Sequence, residues 1–442
     1  MKKIYLFITL ILLITIKINA QNWITCGPGT ALGNNSNGVR AIAVSPYDGS
    51  IYAGGTFTGT VNYLAKYNPT TDSWQAVGAG VGGPVYALKF FKGKLYVGGL
   101  FSTAGGVGAN NIVAVNSAGV YNTVGIGLNG QVNCFESSMD SAYLYVGGQF
   151  SADFSNSTTL LHIAKTDLIT WSAVGSGITP VVNCLTYHNN ALHAGTQNVS
   201  DQIFSLSGST WTPISGLAGG KVYTIASFGG YLYAGGDFTS PNPGAAKYNN
   251  STSTWGTIIT SLLPGTVVRT LKTYGNYLFI GGSFTSVGIG PANYFGRIDG
   301  PNIPIKAIIT SNYPASTPYA IANKDGYIYL GGNFTNTGEN VIRSSTTIGV
   351  DEIDNIIESS SFFPNPLSTT ATLNVKLKKH ADSAKVSIID AQGKIVQEKM
   401  ISDLSNNEIN FTIDRNDLSA GIYYYQLTID GQAASTHPFV IE

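Results

Sequence analysis

The sequence predicts an all-β chain: a seven-bladed β-propeller followed by a small C-terminal β-sandwich. Three observations carry that prediction. Of 442 residues, 53 are Gly and 25 are Tyr while only 11% are charged, the mixture expected of many tight turns joining amphipathic strands. An apolar segment ending in a glycine pair recurs about every 40 to 50 residues, a period typical of stacked sheets. Past about residue 346 the composition changes, with Gly falling to four in the last 97 residues.

The same totals exclude whole classes. With 24 basic and 24 acidic side chains the formal net charge is zero, which argues against a nucleic-acid binder. Hydrophobic content of 43% excludes a disordered chain, and no Gly-x-y period points to collagen.

The N-terminus comes first in order. Lys2 and Lys3 precede a thirteen-residue apolar run from Ile4 to Ile16, and Ala20 follows a short polar stretch. A basic start, a short apolar core and a small residue at the cut read as a secretory signal peptide over residues 1–20. The run is too short for a bilayer span, and no later run is longer, so no integral membrane span is expected in the mature chain. Three cysteines, Cys26, Cys134 and Cys184, make no disulfide framework. They read as small core residues, with a Cys134–Cys184 bridge between neighbouring repeats as the alternative.

Residues 21–345 hold the repeat. Copies of the glycine-pair strand run Ile51–Gly55, Leu95–Gly99, Leu144–Gly148, Leu232–Gly236, Leu278–Gly282 and Ile328–Gly332, with a degenerate copy, Leu192–Thr196, filling the gap. Six continue with one residue, then Phe, then Ser or Thr. Upstream lies a strand such as Val85–Leu88 or Val132–Phe135; downstream lies one such as Leu64–Tyr67 or Ile112–Val115. A fourth begins at Trp74, Tyr121, Trp171, Trp211 or Trp255. Four strands per unit make a propeller blade, because one such sheet cannot bury both faces and must stack on its neighbours. The glycine pairs mark positive φ or close backbone approach. A phosphate loop is the competing reading for Gly105 to Gly108, but no Gly-Lys-Ser/Thr follows. Ring closure is also legible. Trp23 to Gly27 repeats the pattern of Trp74 to Gly78, and the last repeat lacks an aromatic fourth strand. The N-terminal segment should complete that blade and remove an exposed edge.

These units resemble those of kelch-type propellers, above all Lys66 to Trp74, and the Gly-Gly-x-Phe-Ser/Thr variant is similar to repeats of fungal cortical cell-polarity markers. The resemblance implies fold and leaves activity open.

Residues 346–361 read as an acidic, Ser-rich linker. From residue 362 onward six strands are expected: Thr370–Leu377, Ala384–Ile389, Lys394–Met400, Glu408–Ile413, Ile422–Ile429 and His437–Ile441. Phe363 to Pro366, Ile389 to Lys394, Leu418 to Tyr423 and Asp430-Gly431 with Phe439-Val440 occur in order. Together they resemble the C-terminal sorting domain of type IX secretion cargo in Gram-negative bacteria. That resemblance implies recognition by the type IX machinery through residues 362–442. It also implies passage through the periplasm and a final place on the cell surface or in the medium. Family members often end in a basic residue, whereas this chain ends in Glu442.

Chemistry is thinly marked. Residues 21–345 hold eleven acidic side chains: Asp48, Asp72, Glu136, Asp140, Asp153, Asp167, Asp201, Asp237, Asp299, Asp325 and Glu339. A glycosidase needs two carboxylates facing one cleft, but Asp72 and Asp167 sit where turns need Asx caps. Thr56, Gln149, Asp237, Ser283 and Asn333 share the slot between Gly-Gly and Phe, a polar ring best explained as a turn requirement. His162, His188 and His193 are the propeller's histidines, and His193 replaces the Tyr of its strand. No HExxH, CxxC or Gly-x-Ser-x-Gly occurs. No catalytic, cofactor-binding or metal-binding residue is therefore assigned, and no cofactor or nucleic-acid partner is expected. Asp140-Ser141-Ala142 and Asp382-Ser383-Ala384 resemble bacterial O-glycosylation acceptors. The favoured expectation is a binding or adhesion module for a glycan or protein. The alternative is a polysaccharide-acting hydrolase or lyase built on the same ring.

The zero net charge is a cancellation. The signal segment carries three lysines; residues 21–345 carry 14 basic and 11 acidic groups; residues 346–442 carry 7 and 13.

Overall fold

A computed structural model describes residues 23–27, 32–33, 38–258 except 201, 262–263, 265–287, 290–291, 294–300, 305–307, 316–334, 339–345, 357–377, 384–390, 395–401, 407–415, 418–429 and 432–442. The expected signal segment and residues 346–356 of the expected linker lie outside them. Among the described residues every regular element is a strand.

Between Trp23 and Ser344 the described strands make seven four-stranded antiparallel sheets. Their first strands are Val39–Val44, Val85–Phe91, Val132–Ser137, Val182–His188, Val222–Phe228, Val268–Tyr274 and Pro318–Lys324. Each of these contacts the next in chain order, and Pro318–Lys324 contacts Val39–Val44. The last sheet borrows its outer strand from the N-terminus: Trp23, Ile24 and Thr25 pair with Ser344, Arg343 and Ile342.

Packing explains the glycine pair. A Cβ on Gly54 would stand 2.4 Å from Val85 Cγ1 of the next sheet, and one on Gly98 2.4 Å from Val132 Cγ1. Gly147, Gly195 and Gly235 meet Val182, Val222 and Val268 in the same way, Gly281 meets Pro318, and Gly331 meets Val39. The first glycine of each pair is thus a socket for the leading residue of the neighbouring first strand. Close approach, with ordinary extended φ, is what these glycines provide.

The fourth-strand aromatics tie sheets together at the rim. Trp74 Nε1 donates to the Cys26 carbonyl at 2.6 Å, Tyr121 OH to Val77 O at 2.6 Å, and Trp211 Nε1 to Val174 O at 2.9 Å. Cys26, Val77 and Val174 are equivalent residues of three outer strands, so one bond type joins three of the sheet pairs, whereas the buried Trp171 and Trp255 indole N–H groups lack it. Asp72 reinforces the Trp74 bond by accepting from Gly27 N–H at 2.8 Å.

The C-terminal region forms two sheets. One contains Ile357–Phe363, Thr370–Leu377 and Glu408–Asp414; the other contains Ala384–Asp390, Ile395–Ile401, Gly421–Ile429 and Gln432–Ile441. Leu373, Val375, Ile409 and Phe411 of the first share a buried cluster with Val386, Ile388, Leu427 and Phe439 of the second. One expectation needs correction: residues 357–361 are strand, paired to Thr370–Leu377, rather than linker. They form an edge whose residues 358–361 are all exposed, so no apolar alternation marked them; the backbone ladder holds them in the sheet, joined by a Glu358–Lys376 pair at 3.1 Å.

Candidate functional site

Opposite every glycine pair the first strand carries one extra residue. Val39 pairs with Gly55 and Ala41 with Gly54, leaving Arg40 unpaired. The same register shift frees Tyr86, Asn133, Asn183, Tyr223, Arg269 and Tyr319 in the other six sheets. A β-bulge re-aims its side chain and bends its strand. Here seven bulges lie at equivalent points of seven mutually contacting strands. All seven residues are half-buried, and they form a ring at the end where first strands begin and second strands finish.

Neighbours in that ring touch. Arg269 lies 4.1 Å over the Tyr223 ring, and Arg40 lies 4.0 Å over Tyr319, which joins the last sheet to the first. Asn133 Nδ2 donates to Val182 O and Asn183 Nδ2 to Val222 O, both at 2.8 Å. Gln131 and Gln197 donate in turn to the Asn133 and Asn183 amide oxygens. The ring divides into an arc of Tyr223, Arg269, Tyr319 and Arg40 and an arc of Tyr86, Asn133 and Asn183.

Deeper along the same strands lie Lys89, Glu136 and Lys272. Lys89 and Glu136 pair at 2.7 Å between neighbouring sheets. Lys272 comes from the far side, three strands away in either direction, yet the charges of Lys89 and Glu136 both act on it. Its side chain is exposed to solvent although protein surrounds it, as a residue in a lumen would be. Enclosure, and then the Lys89 charge, hold its pKa below the ordinary lysine value, with Glu136 opposing.

The polar slot after each glycine pair serves the backbone first. The N–H groups of Leu100, Gln149, Gln197, Asp237 and Ser283 bond to the carbonyls of Pro84, Gln131, Val181, Lys221 and Val267 at 2.8–3.1 Å, and Thr56 reaches Gly38 at 3.3 Å. Asp237 also accepts from Tyr223 OH at 2.8 Å, which brings it to the ring. Beside this end lies a cleft of about 300 Å³ lined by Leu100, Asn110, Asn111 and Phe154, and a second of about 350 Å³ shares Asn110 and Phe154. Gly105 and Gly106 form the turn of a short hairpin, Thr103–Ala104 with Val107–Gly108, and both have positive φ.

The remaining candidates separate. Asp167 caps the turn N–H groups of Ile169 and Thr170. His162 bonds to Ile178 O and His188 to Ser227 Oγ and Asn250; His193 is buried and bonds to Ala191 O. The three cysteines are free, and burial raises the Cys134 and Cys184 thiols, the latter to about 12. Asp140 to Ala142 forms an exposed turn with Ser141 at positive φ, while Asp382-Ser383 lies outside the described residues. Sequence reasoning missed the ring itself. Its signal was present: the residue after the leading Val or Pro of each first strand is always Arg, Tyr or Asn.

Residues 361–442 match the family described as a secretion system C-terminal sorting domain. Residues 48–70 match a β-propeller domain of unknown function. No curated protein matches the chain. Among solved structures it is similar to the Pan2 WD40 domain of Neurospora crassa, at 10% identity over 74% of this chain and 97% of that one, TM-score 0.47. It is also similar to the computationally designed Ika8 protein, at 12% identity over 71% and 98%, TM-score 0.42. A third is the extracellular domain of BT4673 from B. thetaiotaomicron, at 12% identity over 92% and 69%, TM-score 0.36. The chain thus carries a type IX sorting domain together with a β-propeller domain, and it is exported to the cell surface or beyond.

Proposed function

We propose that this protein is a binding or adhesion module: a kelch-like propeller of seven blades over residues 21–345 that holds a glycan or protein ligand at its axial end. Delivery begins with a signal peptide cut after Ala20 and passes through the periplasm. The C-terminal β-sandwich is then read by the type IX machinery. One observation supports the binding reading: seven register shifts at equivalent points of seven neighbouring first strands free seven polar or aromatic residues, several of which touch the next in the ring. The hydrolase reading is weaker at this site. Glu136 is held by Lys89, and Asp237 is held by Tyr223 and by the Lys221 N–H, so neither carboxylate stands free as acid or base. A glycan and peptide array on the exported chain, followed by a reducing-sugar release assay on every retained glycan, tests the proposal. Retention without release is the expected result; release of sugar ends reads as catalysis and overturns it.

A further inference from the structure

The axial end carries three cations that make no ion pair, with one carboxylate, Asp237, reaching the ring through Tyr223 OH beside Arg269. Among the described residues no carboxylate lies within ion-pairing distance of Arg40, Arg269 or Lys272, whereas Lys66, Lys89, Arg297 and Lys324 each have one. Both guanidiniums stand over tyrosine rings, Arg40 at 4.0 Å from the Tyr319 centroid and Arg269 at 4.1 Å from that of Tyr223, which holds each cation at the ring. Arg40 Nε is buried with no hydrogen-bond acceptor. A buried cationic donor left unmade is costly, a cost that an acceptor on the same guanidinium would offset. In the lumen below, Glu136 cancels Lys89 and leaves the Lys272 charge uncompensated.

We propose that the axial mouth takes a uronate, a carboxylate-bearing sugar residue of an acidic glycan, with its carboxylate on Arg40 and Arg269. This rests on the binding reading above and names its ligand class. A planar guanidinium edge matches a carboxylate and gives paired charge-assisted bonds. In ring order the two arginines flank Tyr319, one on each neighbouring first strand. Across the mouth, Asn133 and Asn183 each spend one N–H on a neighbouring carbonyl and accept one bond from Gln131 or Gln197. Each amide then keeps one N–H and one lone pair, the complement of a sugar hydroxyl. Tyr86 adds an aromatic surface for the apolar face of a sugar ring. The uncompensated charge is small, which suits one or two carboxylates rather than a nucleic acid or polyphosphate. The cleft beside Leu100, with exposed Phe154 and Asn110, gives adjoining sugar residues a place to lie.

Titration calorimetry of the exported chain at low salt tests this with trigalacturonate and its fully methyl-esterified form. The acid should bind saturably and the ester at least about tenfold more weakly, since the ester loses charge and keeps every hydroxyl. Arg40→Gln and Arg269→Gln should each weaken the acid about tenfold. Lys272→Gln, an exposed position and the variant safest for folding, should weaken it less. Glu136→Gln, which releases Lys89, should tighten it. Equal affinity for acid and ester overturns the proposal, as does wild-type affinity in all three cation variants. Inorganic phosphate displacing trigalacturonate at equal concentration overturns the sugar and leaves a bare oxyanion site. Array retention of neutral glycans with no preference for acidic ones overturns the uronate while the binding reading stands. Retention of nothing on the array sinks both.

Discussion

Tyr52, Tyr96, Tyr145, Tyr233, Phe279 and Tyr329 occupy one position of the second strands, and His193 takes it in the fourth sheet. The substitution has a cost in acid. Burial lowers the His193 pKa from 6.5 to about 4; the Ala191 hydrogen bond opposes this and the charge of His188, 5.8 Å away ring to ring, adds to it. Unfolding therefore takes up a proton between pH 6.5 and 4. Stability is intact above that window and falls as pH drops through it, by about 3 kcal/mol at most from this residue. His188, shifted the same way by burial, steepens the fall. His193→Tyr should flatten the profile: denaturant melts of both proteins at pH 7 and pH 4.5 should show a smaller loss in the variant. An equal loss would mean that His193 is protonated in the native state. Residue identity explains what was legible here. A His in a Tyr column stands out against six copies. The ring of Arg, Tyr and Asn did not, because its members differ in type and are linked only by following the leading Val or Pro of each first strand.

Strands and their joints were the most legible level, because the glycine pair reports packing directly. Gly98 faces Val132 Cγ1 at 2.4 Å and Phe135 Cζ at 2.7 Å once a Cβ is added. Gly98→Ala should destabilise by about 1–3 kcal/mol as overpacking does. A companion Val132→Ala should recover part of that loss, a coupling read from the double-mutant cycle; strict additivity would contradict the socket account. The joint between the chain's ends makes a second test. Trp23 is buried, meets Phe295 edge-on at 5.5 Å and pairs with Ser344. Trp23→Ala should cost about 3–5 kcal/mol in unfolding free energy, and a change near zero would mean that the N-terminal strand adds nothing to the last sheet. The edge strand Ile357–Phe363 escaped notice because residues 358–361 are exposed and show no apolar alternation, although Phe362 packs against Tyr425 and Phe439.

At the scale of the molecule two units with different jobs share one chain. The Gly-rich part carries a small positive excess and the C-terminal part a larger negative one, so long-range electrostatic steering of a partner is weak. Export belongs to the C-terminal part: deleting residues 361–442 should abolish appearance at the surface or in the medium, as scored by protease accessibility of whole cells. Surface display that survives the deletion would refute the sorting role. Architecture was readable because it repeats seven times, while the candidate site was not, because a ring assembled from one residue per sheet exists only after the sheets meet. Amide hydrogen exchange of the exported chain, with and without a glycan retained on the array, tests the binding claim most directly. Slowed exchange at residues 39–41, 268–270 and 318–320, where the bulges face the axis, is the predicted result. Protection confined to the outer strands or to residues 361–442, with those three segments unchanged, would contradict it.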